Sequence, residues 1–262
     1  MKAVVIAVVA FACTGCKDKP APKQEPPTAQ RARKPENRPS LETPEVNGPG
    51  LMPATGLGPK ITFSKTEIKV DNESVATVGS DGWIDDARAQ ALTTLLESKV
   101  NSDAPVAITL DATVPYRRVG QLLDLLKRAG FRNLALLVGN GQMIPIELAD
   151  SAEINGVGLR PVVTLQRSQV KLWSASGQEG TRGKPKLAFA LGAGHTFGPL
   201  TRALAEIVQR RWPDGKRAEQ DKTIIILPDG NQPAEVLLQL LAAVRADGSL
   251  ELFPNIFLAG GQ

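Results

Sequence analysis

Asp111, Tyr116, His195 and Asp229 are the side chains whose type and placement best suit chemistry. Asp111 ends the apolar run Ile108-Thr109-Leu110, and Pro115 and Tyr116 follow it. Asp229 follows a second such run, Ile224-Ile225-Ile226-Leu227-Pro228, and Pro233 comes next. An acid where a strand ends either caps the following turn or helix, or offers a carboxylate to a ligand. Tyr116, the sole tyrosine, either packs at a helix start or contacts a partner. Asp111, Tyr116 and Asp229 are therefore the candidate partner-binding residues. No pair of carboxylates stands at a catalytic spacing, and no catalytic residue is assigned.

His195 is the single histidine, within Leu191-Gly192-Ala-Gly194-His195-Thr196-Phe197-Gly198. No second His can join it in a metal site, and the only cysteines are Cys13 and Cys16. Neither a metal nor a cofactor is implied. A Ser/His/Asp set with Ser176 or Thr196 is formally open, but no nucleophile-elbow spacing is present. A turn or cap role is the simpler expectation. Gly192-x-Gly194-x-x-x-Gly198 tempts a phosphate-cradle reading. Its third Gly comes one position late, and no acid follows at the needed distance. A tight turn into a helix is the expected use of these glycines.

Positioning such residues requires strands and helices, and these recur. Ile61-Thr-Phe-Ser-Lys-Thr-Glu-Ile-Lys-Val70 aligns with Val163-Thr-Leu-Gln-Arg-Ser-Gln-Val-Lys-Leu172. Both alternate apolar and polar residues, as half-buried strands do. Further on, Asp111 pairs with Asp229, Pro115 with Pro233, Leu122-Leu123 with Leu240-Leu241, and Gly130 with Gly248. The offset grows between these blocks, so the second copy carries an insertion, placed at Ser174 to Lys186. Helices are expected from Asp85 to Val100, from Pro115 toward a left-handed cap at Gly130, from Pro199 to Arg211, and from Pro233 to Arg245. The strands flanking each second helix should pair in parallel through a crossover.

The stretch from Ile108 through Asp111, Val114, Tyr116, Val119, Leu126, Ala129, Gly130 and Phe131 to Val138 resembles the signature of the ExbD/TolR family of biopolymer transport proteins. The resemblance extends back to Lys60. It implies periplasm-facing domains, and participation in energised envelope transport or envelope integrity through contacts with envelope proteins or peptidoglycan. Those proteins resemble one another in an N-terminal membrane helix with a working carboxylate, which this sequence lacks. The motor half of the family's work is not expected here.

The ends and composition complete the reading. Met1-Lys2 precedes ten apolar residues, Ala3 to Ala12, too few to span a bilayer. They fit a secretory signal, and Thr14-Gly15-Cys16 resembles a lipoprotein cleavage site with Cys16 acylated. An ordinary cleaved signal and a short uncleaved anchor are the alternatives. Residues 17–59 hold ten of the 20 prolines and no aromatic residue, which predicts a disordered tether. The net charge is +4, interleaved in sign, and pairs such as Arg117-Arg118 and Arg210-Arg211 read as solvated faces. Trp83, Trp173 and Trp212 are scattered, and one or two could be exposed anchors. Nucleic acid is not an expected partner.

The expected fold class is α/β, as two similar small two-layer domains, each a mixed β-sheet with two helices on one face. The expected organisation is a signal peptide over 1–16, the tether over 17–59, and domains over 60–150 and 151–262. The function expected is that of an envelope lipoprotein binding module of a Gram-negative-type bacterium, not an enzyme. A scaffold lipoprotein and an exported hydrolase are the alternatives. Pairing is expected through exposed strand edges, chiefly the strand after Phe131 or the first strand of a repeat. The two copies could instead pair with each other as an intrachain pseudo-dimer.

Overall fold

The computed structural model describes residues 41–44, 46, 48, 50–78, 84–99, 104–148, 160–192, 194–213 and 222–259. Cys16 and Trp83 lie outside the described residues, as does the whole of 1–16. The first half supplies β1 (Met52–Pro53), β2 (Lys60–Phe63), β3 (Glu67–Val70), β4 (Glu73–Thr77), α1 (Asp86–Lys99), β5 (Val106–Leu110), α2 (Tyr116–Arg128), β6 (Asn133–Val138) and β7 (Gln142–Leu148). The second supplies β8 (Pro161–Gln166), β9 (Gln169–Ser174), β10 (Leu187–Ala190), α3 (Gly198–Arg211), β11 (Thr223–Pro228), α4 (Ala234–Arg245), the short hairpin β12–β13 (Ala246–Asp247, Leu250–Glu251) and β14 (Asn255–Leu258).

The class is α/β with a mixed sheet. Its 12 strands run in the order β10-β9-β8-β11-β14-β7-β6-β5-β2-β3-β4, with β1 added beside β7. Both expected crossovers are present, since β5 pairs β6 in parallel and β11 pairs β14 in parallel. The registers of the halves correspond. Ile61 faces Ile108 across β2–β5, and Val163 faces Ile226 across β8–β11, each residue at the position its aligned counterpart holds. The α2 stripe Val119, Leu122, Leu123 and Leu126 is fully buried, as is its α4 counterpart Leu237, Leu240 and Leu241. These residues and the inward positions of the strands form one continuous core across both halves. Gly130 ends α2 with φ of +89°, as its cap role requires.

Three segments meet along β7. Its inner edge pairs antiparallel with β6. Its outer edge takes Phe257 and Leu258 of β14 at one end, and Met52 and Pro53 of β1 at the other. Pro145, which has no N–H to donate, falls between those two pairings. The halves are therefore joined in one sheet, and the strands expected at free edges are interior. β6 is covered by the β7 return, and β2 lies between β3 and β5. The outermost strands of the sheet are β4 and β10.

The expected tether ends earlier than residue 59. The Glu42 carbonyl accepts from Ala112 N–H at 2.8 Å, and the Pro44 carbonyl from Gly139 N–H at 3.2 Å. Val46 is buried in the core. Arg245 of α4, itself buried, donates Nε to the Gly50 carbonyl at 2.8 Å and Nη1 to the Pro254 carbonyl at 2.6 Å. A Pro-rich composition disfavours regular structure, but here it runs as a strap bonded to elements that carry its hydrogen bonds.

The far face of the sheet is not uniformly wet. Val162, Ile225 and Phe257 are buried there with Trp173 and Leu227 packed against them, and Arg160 stacks 5.4 Å from the Phe257 ring.

Candidate functional site

The two signature turns lie against each other, one from each half. Tyr116 N–H donates to the Gln232 carbonyl at 2.6 Å, and Ala234 N–H donates to the Val114 carbonyl at 2.8 Å. Arg117 N–H donates to the Gly230 carbonyl at 2.8 Å, and Glu235 N–H to the Ala112 carbonyl at 3.0 Å. Each bond maps onto another when aligned residues of the halves are exchanged. Pro115 faces Pro233 at the centre, as an isolated antiparallel bridge. These N–H groups belong to the first turns of α2 and α4, where no intrahelical acceptor exists. Each helix start thus finds its acceptors on the other half's turn.

Asp111 and Asp229 flank this seam as turn formers. The Asp111 Oδ1 accepts from Thr113 N–H at 3.0 Å and from the Thr113 hydroxyl at 2.6 Å. Asp229 is used more widely. Its Oδ1 accepts from Asn231 N–H and its Oδ2 from Arg167 N–H, both at 3.0 Å. Those two backbone donors, aided by the Arg167 charge, hold its carboxyl below the usual aspartate range. Arg167 sits in the β8–β9 turn at φ of +54°, so Asp229 pins that hairpin to the signature turn.

Tyr116 offers no surface to a partner. It is fully buried, and its hydroxyl donates to the Ala259 carbonyl beyond the end of β14. Burial, with the nearby Asp124 charge, pushes the phenol well above its ordinary range. It is a core residue that ties α2 of one half to the last strand of the other.

His195 takes the left-handed position of its turn, with φ of +46°, and its N–H donates to the Gly192 carbonyl at 3.0 Å. Gly192, Gly194 and Gly198 all have room for a Cβ and none has a left-handed φ, so the turn is built on the histidine rather than on the glycines. The helix begins at Gly198, with Pro199 at its start. Among the described residues no cluster of three or more His, Cys, Asp or Glu could hold a metal ion. Among them too, no helix is long and apolar enough to cross a membrane.

Two sites escaped the sequence reading. A groove of about 310 Å³ between α1 and α2 is lined by Gln90, Thr93, Glu97, Gln121, Asp124 and Arg128, among others. Burial raises the Asp124 carboxyl, against the lowering effect of Arg128 and Lys127. The second is a charge cluster at the inserted loop. Glu179, with no exposed side-chain surface, accepts at Oε1 from Arg211 Nη2 at 2.7 Å and from Arg210 Nη2, and its Oε2 forms an ion pair with Lys186 Nζ at 3.2 Å. Arg210-Arg211 is thus not simply a solvated face: Arg211 is 10% exposed at its side chain and Arg210 56%. Burial acts to raise the Glu179 carboxyl, but the Arg210 and Lys186 hydrogen bonds and the cationic charges outweigh it and hold it below the usual glutamate range. One signal was present in the sequence: Glu179 is the sole acid between Ser174 and Lys186. Trp212 is likewise no exposed anchor, since its ring meets Phe253 edge-on at 6.1 Å.

No family model, no curated protein and no solved structure matches this chain.

Proposed function

We propose that this chain is a binding module, not an enzyme: an envelope lipoprotein, anchored through Cys16 and facing the periplasm, whose two ExbD/TolR-like halves pair with each other and serve envelope transport or integrity. The observation that carries the reading is the reciprocal exchange of backbone hydrogen bonds about Pro115 and Pro233. Two halves bonded in this way stand to one another as the subunits of a twofold dimer do, with the same patch used on both sides. A chain holding both subunits needs no second copy to complete that contact. The polar groups of the signature, Asp111, Asp229 and Tyr116, are engaged in turns and core, so they serve the pairing of the halves.

Cross-linking of the full chain in intact cells tests this. The expected result is capture of envelope proteins or peptidoglycan, with a lipidated Cys16 found by mass spectrometry of the membrane fraction. A soluble cytoplasmic product with an unmodified N-terminus sinks the reading.

A further inference from the structure

We propose that the loop from Ser174 to Lys186, together with the end of α3, forms a binding site for a phosphate group. Glu179 is the only acid of that loop, and three cations converge on it. A buried carboxylate needs compensation by partners of good geometry. Arg210 and Lys186 alone outnumber that carboxylate by one positive charge. Arg182 and Lys184 add two more, both exposed, in the turn that Thr181 and Lys184 close with backbone bonds of 3.0 and 3.1 Å.

Backbone hydrogen bonds hold the frame beneath these charges. Ser174 N–H donates to the Gly180 carbonyl at 3.1 Å, and Lys186 N–H to the Glu179 carbonyl at 3.1 Å. The Ser174 hydroxyl accepts from Glu179 N–H at 2.9 Å. Gly180 holds φ of +80°, and a Cβ there would meet the Lys184 carbonyl oxygen at 2.5 Å, so no other residue fits the turn. Arg210 and Lys186, held by Glu179 before a ligand arrives, lose little freedom when it binds.

The first half has nothing equivalent. There β3 and β4 are joined by the tight turn at Asp71 and Asn72, both at positive φ. The loop is where the symmetry of the two halves breaks, and an ordered loop longer than its link requires is where binding residues are commonly carried. A phosphate group matches the donors present. The Arg210 guanidinium, partly exposed, can present its remaining N–H groups as a fork, and lysine ammonium groups add point charge. Free phosphate and the headgroup of an anionic lipid share this chemistry.

The test uses the full chain, with inorganic phosphate followed by amide NMR, and with phosphatidylglycerol vesicles against phosphatidylcholine vesicles in co-sedimentation. The variants are Arg182→Gln with Lys184→Gln, and the triple variant that adds Arg210→Gln. Phosphate should shift the amides of residues 179–186, and the triple variant should weaken binding roughly tenfold or more, as expected for loss of charge-assisted bonds. A response to phosphate alone identifies a free phosphate ligand. Preference for phosphatidylglycerol that is lost in the variants identifies a lipid headgroup. Thermal unfolding checks each variant. Should the triple variant fail to fold, the double variant, altered only in the exposed turn, carries the comparison. No response to either probe, or a response the substitutions leave unchanged, overturns the proposal.

Discussion

A carboxylate without exposed surface is costly unless it is paired and bonded, and Glu179 is both. Glu179→Gln should therefore lower stability by about 3–5 kcal/mol, the cost of breaking a buried ion pair, read from denaturant unfolding. The pH dependence follows in sign. The folded Glu179 and Asp229 carboxyls lie below their ordinary values, so both contribute stability above the unfolded range. That contribution is lost as pH falls through the lowered folded values. An acid titration of wild type should show this limb, and Glu179→Gln should remove the Glu179 part of it; an unchanged limb counts against the assignment. Tyr116→Phe leaves the Ala259 carbonyl without its donor and should cost about 1–3 kcal/mol. Asp111 and Asp229 were legible as turn residues because an Asx turn is local and written in adjacent residues. The Arg210-Arg211 role was not, because its partner lies across the chain on the inserted loop.

At the scale of elements, the stripes of α2 and α4 were readable from spacing because one buried face fixes a helical period. Leu123→Ala and Leu241→Ala should each cost about 2–5 kcal/mol, since both side chains are fully buried. The strap was misread for an equally physical reason. Composition reports what a segment can bury by itself, whereas Glu42, Pro44 and Gly50 are tied down by bonds that other elements supply. Gly50 shows how close that contact is: a Cβ there would sit 2.6 Å from the Arg245 Cβ and 2.7 Å from the Ala242 carbonyl oxygen. Neither atom is the end of a flexible side chain. Gly50→Ala should displace the strap and cost about 1–3 kcal/mol. Proteolysis of the full chain should then cut near residues 41–53 faster than in wild type. Equal cleavage would mean that the strap is not held at Gly50.

The whole molecule asks whether the halves are separate units or one. The repeat was visible in the sequence because alternation and helical period survive divergence. The joint was not, because it depends on β7, on two residues of β14 and on the strap, which pair over long sequence distances without a local pattern. Besides the β7–β14 pairing, three links tie the halves. They share one apolar core, they exchange hydrogen bonds at the starts of α2 and α4, and Tyr116 of the first half is satisfied by Ala259 of the second. Loss of the second half would leave Tyr116 and the first-turn N–H groups of α2 without their acceptors, and buried polar groups without partners are costly. Unfolding of either half should therefore carry the other with it. Native-state hydrogen exchange decides this in the Leu241→Ala variant. If the halves are one cooperative unit, amides of β5 and α2 lose as much protection as those of β11 and α4, although the substitution lies in the second half. Protection lost only from residues 161–259 would show two independent units that merely share an edge.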